Sequence, residues 1–153
     1  MNQVNRALVG LALLVLTSLP AYAGSAIIVV EDAWSRASIG TSRPGAAYLT
    51  IRNTGDESAI LTAIQTDLAM MPEVHLSSTN DQGVSKMSPA GDIEIAPGAS
   101  VSLAPGGLHA MLMRLQRPMI EGESFNLTLV FADGSEVSVE IPILSMAARG
   151  PGN

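Results

Sequence analysis

The chain has 153 residues, a formal net charge of −6, a sequence pI near 4.7 and no cysteine. An acidic chain without a run of Lys or Arg is a poor candidate for binding nucleic acid or anionic lipid, and two Phe, two Tyr and one Trp offer no platform for stacking bases or sugars. Charged residues make up only 14%, while 14 Gly and 9 Pro punctuate the sequence, a composition that suits short strands joined by turns better than a helical bundle.

The first element is an address. Arg6 precedes an apolar run, Ala7–Leu19, which Pro20 breaks before the small-residue site Ala21-Tyr22-Ala23. This order of charged, apolar and small residues predicts a secretory signal over residues 1–23, cleaved after Ala23. The apolar run is shorter than the ~20 residues that a spanning helix needs, and no later stretch is a candidate for crossing a bilayer. A single domain is expected over 24–153. Exported domains often rely on disulfides, but a chain of this length buries enough surface to do without them.

Beyond Gly24 the hydrophobic period is two. Strands are predicted at Ala26–Val30, Ala46–Asn53, Ala59–Thr66, Glu73–Ser77, Asp92–Ile95, Ser100–Leu103, Leu108–Leu115, Phe125–Phe131 and Glu136–Ile143. Between them stand the turn signals Asn53-Thr54-Gly55-Asp56, Ala96-Pro97-Gly98, Pro105-Gly106-Gly107 and Asp133-Gly134. The last hairpin can be taken to register. A three-residue loop, Ala132-Asp133-Gly134, pairs Leu129 with Val137 and Leu127 with Val139, keeping both apolar rows on one face, and puts Gly134 where a left-handed residue is required. The expected fold is all-β, a Greek-key sandwich or barrel, with a tail that frays from about Ala147.

The chemistry rests on both histidines. His109 and Met111 are two apart on a predicted strand, so they project from one face with Cα atoms ~6.5–7 Å apart. His75 ends the segment Met70-Met71-Pro72-Glu73-Val74-His75, and a hairpin through Asn80-Asp81-Gln82-Gly83 returns Met87 to its neighbourhood. Two imidazoles and two thioethers form a soft, neutral donor set that favours Cu(I). Zinc is poorly served by methionine, and calcium and magnesium want oxygen. Thioethers also survive an oxidising compartment in which a Cys pair would close into a disulfide. Met113 shares the face of Met111 and is read as core, as are Met70, Met71, Met119 and Met146.

Other constellations are weaker. Ser77 and Ser78 adjoin His75 without a nucleophile elbow. Asp56-Glu57 and Glu121/Glu123 flank glycine turns and read as solvated loop ends, while Trp34, Arg36 and Arg43 read as structural. No dinucleotide, Walker or zinc-protease motif occurs, so an enzyme is not expected.

On these residues the chain resembles the periplasmic PCuAC-type copper chaperones. Their motif is a His, eleven residues, a Met, twenty-one residues, a His and a Met two positions on. Here Leu76–Lys86 are eleven residues and Ser88–Leu108 are twenty-one, so His75, Met87, His109 and Met111 match. Ala46-Ala47-Tyr48-Leu49, Asn53-Thr54-Gly55, Glu73-Val74-His75, Pro105–Met113 and the final hairpin also resemble the family, over roughly Ile27–Ile143. The resemblance implies a cupredoxin-like fold, a periplasmic location and a solvent-accessible Cu(I) site. It further implies delivery of copper to the copper subunit of cytochrome oxidase, alongside a thioredoxin-like assembly protein. Two positions depart from it: Leu76 stands where Met is common, and Ala147–Asn153 lacks the His and Met of the Cu(II)-binding tails of some relatives. The alternatives are a periplasmic copper buffer or resistance protein without a dedicated client, and a metal-free structural β-sandwich.

Overall fold

The computed structural model describes residues 26–152, and the leader expected over residues 1–23 lies outside them. Ten strands follow in chain order: β1 (Ile28–Arg36), β2 (Gly45–Asn53), β3 (Ala59–Gln65), β4 (Ala69–Thr79), β5 (Ser85–Pro89), β6 (Ile93–Ile95), β7 (Ser100–Leu103), β8 (Leu108–Leu115), β9 (Ser124–Phe131) and β10 (Glu136–Leu144). No helix occurs among the described residues. The strand path runs β5-β4-β8-β2-β1-β10-β9-β3-β6, with β7 added to β2. Its ends, β5 and β6, do not meet, so the sheet is open. Of the two expected forms the chain takes the sandwich rather than a closed barrel.

One layer is built on β4, β8, β2 and β1, the other on β10, β9 and β3. They are joined where the first and last strands pair in parallel, Ser35 with Ile143 and Arg36 with Leu144. The inward rows of both layers form one core, including Leu49, Ile51, Leu61, Ile95, Leu103, Leu112, Leu127, Leu129, Ile141 and Ile143, each no more than 2% exposed. Burial of such side chains is worth about 1.5–3 kcal/mol each, which accounts for the strict alternation seen in β9.

The β9–β10 register is the predicted one, with Val137 opposite Leu129 and Val139 opposite Leu127. Gly134 closes the loop at φ 83°, a conformation that costs glycine little. Three strands depart from expectation. β4, expected over Glu73–Ser77, runs from Ala69 to Thr79. β1 does not stop at Val30 but continues to Arg36 through a bulge between Glu31 and Trp34, with Asp32 at φ 53°. The bulge at the charged Glu31-Asp32 pair re-aims the chain without ending the strand. β5 carries no apolar alternation because it is an exposed edge strand.

Past the bulge, Trp34 lies opposite Tyr48, with ring centroids 4.6 Å apart. The Arg36 guanidinium sits 5.4 Å from the Trp34 ring and 5.7 Å from that of Tyr48, and its Nε donates to the Ala148 carbonyl at 2.7 Å. In the tail, expected to fray from about Ala147, Ala148 is 3% exposed against Trp34 and Tyr48. Among the residues read as core methionines, Met119 is buried at 1% exposure. Met70, Met71 and Met146 are 64%, 47% and 57% exposed and Met113 is half-buried outside the core, a correction that arises because Met70 and Met71 lie on the stretch of β4 that β5 does not flank and Met146 lies in the turn after β10.

Candidate metal centre

The site is built on three adjacent strands, β5-β4-β8, near one edge of the sheet. Two turns set it. Asn80 closes the β4–β5 hairpin: its Oδ1 accepts from the Gln82 and Val84 amides at 3.1 and 2.9 Å, and Gly83 takes φ 77°. In Ala104-Pro105-Gly106-Gly107, Pro105 precedes Gly106 at φ 86°, and the Gly107 amide donates to the Ala104 carbonyl at 3.1 Å. Proline followed by a left-handed glycine is the pattern of a type II turn, and it delivers β8 with His109 two residues in.

Strand register then assembles the four sequence candidates. His75 lies directly opposite His109, and Glu73 directly opposite Met111. Facing residues in an antiparallel pair share a side of the sheet, with Cβ atoms about 4.5–5.5 Å apart. On the other flank Met87 pairs with Ser77, and Pro89 pairs with His75. Met87 is thus the diagonal neighbour of His75, about 7–8 Å away between backbones and within reach of a long side chain. His75, Met87, His109 and Met111 therefore share one face.

The two rings are 6.2 Å apart between centroids and inclined at 59°. Two metal–imidazole bonds of about 2.0 Å plus a ring radius on each side span about 6 Å when collinear and about 5 Å at a tetrahedral angle, so the rings stand within about an ångström of the separation that a shared four-coordinate ion needs. Each ring has one nitrogen engaged. His75 Nε2 contacts Glu73 Oε2 at 2.9 Å, and His109 Nδ1 contacts the Gly107 carbonyl at 3.0 Å. A carboxylate and a carbonyl only accept, so the ring protons sit on His75 Nε2 and His109 Nδ1. The lone pairs are left on His75 Nδ1 and His109 Nε2. Among the described residues, these two atoms are the buried side-chain nitrogens and oxygens that have no hydrogen-bond partner. An unsatisfied buried polar atom costs about 1–3 kcal/mol. Here two of them fall on facing residues.

The Gly107 carbonyl serves twice, accepting from His109 Nδ1 and from the Ser77 amide at 3.1 Å, so one backbone atom orients a ring and ties β4 to β8. The His109 side is buried, His75 is 12% exposed in its side chain, and Met87 is 49% exposed. The set is accessible from the Met87 side. Among the described residues no three His, Cys, Asp or Glu side chains gather to hold a metal; the donors that share this face are the two imidazoles and the thioethers of Met87 and Met111. Glu73 is the residue that the sequence reasoning missed. Its signal was the i, i+2 spacing to His75, which puts both side chains on one strand face. Asp56 and Glu57, read as solvated loop ends, flank a different structure: Asn53, fully buried, donates its Nδ2 to the Glu57 and Ile95 carbonyls and accepts the Gly55 amide at 3.0 Å.

The sandwich with this face at its edge defines the class: a cupredoxin-like PCuAC-type domain. The apo PCuAC domain from PmoF1 superposes with a TM-score of 0.65 at 25% identity, covering 77% of this chain and 93% of that one. The solution structure of CuI-DR1885 from Deinococcus radiodurans is 30% identical with a TM-score of 0.58, covering 84% of this chain and 81% of that one. The chain belongs to the LpqE-like family, described as "Putative lipoprotein LpqE-like", whose model matches residues 28–143. The "Putative lipoprotein Lxx21020" of Leifsonia xyli subsp. xyli is 32% identical over 116 residues, 76% of this chain and 69% of that protein.

Proposed function

We propose that this protein is a periplasmic copper chaperone that binds one Cu(I) through His75 Nδ1, His109 Nε2 and the thioethers of Met87 and Met111. The observation that carries the reading is the pair of buried, unpartnered imidazole nitrogens on directly opposed residues. Two neutral nitrogens and two thioether sulfurs make a set that prefers Cu(I) to Cu(II), whose taste is for nitrogen and oxygen in a tetragonal arrangement. The Cu(I) in the 30%-identical DR1885 structure supports the choice of ion. Glu73 and the Gly107 carbonyl hold the two rings in the tautomers that ligation needs, the usual outer-shell role around a ligating histidine.

Exchange follows from exposure. A ligand as open as Met87 can leave first and be replaced by a donor from a client, while buried His109 leaves last. The predicted leader and the lipoprotein description of the family both support export, although the 153 residues contain no cysteine to carry a thioether-linked lipid. The client of this reading is the copper subunit of cytochrome oxidase, reached alongside a thioredoxin-like assembly protein. The reading is of a carrier: the soft donors hold the ion, and Glu73 serves to orient His75.

The test is anaerobic Cu(I) titration against a chromophoric chelator, with X-ray absorption to count nitrogen and sulfur neighbours. One tightly held Cu(I), colourless and silent in electron paramagnetic resonance, is expected, with sulfur in its shell. Tighter binding of Zn(II), or of Cu(II) without reduction, would sink the assignment. Client identity is tested separately: deletion should impair oxidase copper loading while leaving copper tolerance unchanged, the reverse of what a copper buffer gives.

A further inference from the structure

The face that carries the histidines continues beyond them. Two residues past Met111 on β8, Met113 lies directly opposite Met71 on β4. Both line a cleft of ≈ 420 Å³ between β3 and β4, to which Met70, Glu73 and Asp92 also contribute. Met70 and Met71 are exposed, Met113 is half-buried, and none of the three belongs to the hydrophobic core. Packing therefore does not explain them. A solvent-exposed thioether gains little from burial and invites oxidation to the sulfoxide, yet three of the eight methionines line this one cleft.

The donor chemistry is again soft. The Cβ atoms of Met71 and Met113 start about 4.5–5.5 Å apart as a cross-strand pair, and thioethers select Cu(I), with Ag(I) as its redox-inert analogue. Glu73 and Asp92 line the same cleft and supply negative charge against a bound cation. The cleft has no imidazole, and its donors are more exposed than His109, so it must hold the ion more weakly than the histidine face. Along the strands the Met71/Met113 rung is two rungs from the His75/His109 rung, about 13 Å away, with Met111 and Glu73 between. The two positions are separate.

We propose that Met71 and Met113 form a second, weaker Cu(I) position at the β3–β4 cleft, made of the two facing thioethers. Met70 follows the period-two alternation of β4 and projects to the opposite side from Met71, so it is not a donor to the same ion. The position rests on the cross-strand methionine pair and not on the histidines. The test is anaerobic titration of protein carrying ¹³C-methyl methionine with Cu(I), and in parallel with Ag(I), read by the methionine methyl resonances. The first equivalent is expected to shift Met87 and Met111, and a second, weaker one to shift Met71 and Met113, with buried Met119 and remote Met146 unmoved. In the M71L/M113L variant, which keeps volume and apolarity, the second equivalent should be lost and the first kept. M71L alone should weaken the second equivalent, which preserves the test should the double variant fold poorly. Resonances of Met71 and Met113 that stay fixed as metal is added in excess overturn the proposal, as does a second equivalent that survives in the double variant. Movement of these two methyls without any at Met87 and Met111 upholds it while removing the histidine-site reading.

Discussion

Removing the Glu73 carboxylate tests whether an outer-shell group sets up the metal face. Glu73 accepts the His75 Nε2 proton at 2.9 Å and so directs the Nδ1 lone pair towards the site. Hydrogen bonds to charged groups contribute about 1.5–3 kcal/mol, and loss of a ligand's outer partner costs about 10–100-fold in metal affinity. The Glu73 side chain is 50% exposed, so water can take over part of its role and the lower end of both ranges applies. Glu73→Leu should weaken Cu(I) binding about tenfold, ~1.4 kcal/mol. Glu73→Gln keeps an acceptor but loses the charge. A neutral hydrogen bond is roughly half as strong as a charge-assisted one, so this variant should lose only about threefold. Competition against a chromophoric Cu(I) chelator reads the affinities, with exposed Glu136→Gln on β10 as a control that should match the wild type. Long-range ¹⁵N spectra of the copper-free protein read the tautomers: His75 protonated on Nε2 in the wild type and mixed in Glu73→Leu, His109 protonated on Nδ1 in both. An unchanged affinity in Glu73→Leu, or a wild-type His75 that carries its proton on Nδ1, refutes the reasoning.

Met111→Leu keeps volume and apolarity, so stability should change by less than ~1.5 kcal/mol, while Cu(I) affinity falls strongly; Met146→Leu should leave affinity unchanged, and equal affinities in the two variants would remove Met111 from the site. Because an imidazole ligates only when neutral, protons compete with the ion, so Cu(I) affinity should fall as pH is lowered from about 7.5 towards 5 by an amount bounded by two protons; a flat profile in the competition assay would dismiss both histidines. Asn53→Leu leaves the Ile95 carbonyl and its other partners at the β2–β3 turn without their donors and acceptors; a loss of about 3 kcal/mol is expected, read as a lower urea midpoint at unchanged slope, and a loss under about 1 kcal/mol would mean that water replaces the side chain. In the β9–β10 loop, Ser135 donates its hydroxyl and its amide to Asp133 Oδ1 at 2.6 and 2.8 Å, holding that carboxyl below its ordinary 3.8. A depressed pKa stabilises the fold above the unfolded value and is lost as pH falls through the folded one, so Asp133→Ala should flatten the acid limb of thermal stability, and an unaltered limb would show the loop to be neutral.

The local parts of this protein were legible in its residues. Strand periodicity put His109 and Met111 on one face, because side-chain alternation is a property of a single strand. Turn chemistry at Asp133-Gly134 set the register of β9 on β10, because a loop of given length with one left-handed residue permits only one pairing that keeps both apolar rows together. Residue type and the resemblance to the PCuAC motif nominated His75, Met87, His109 and Met111 as candidate donors, and the softness of the set nominated the ion.

What pairs with what was decided by the tertiary structure. That β4 lies beside β8, bringing His75 opposite His109, is a long-range contact with no local signature. The tautomers depend on Glu73 and on a carbonyl of the preceding turn, groups that take on meaning only once the rings are placed. β1 runs through its charged bulge because Tyr48 and Arg36 complete a cluster with Trp34 that also receives Ala148 from the far end of the chain. Met71 and Met113 illustrate the limit most directly. Methionine serves equally as filler in a core and as a soft donor on a surface. The residue type is the same in both, and only its exposure, set by which strands cover it, separates them.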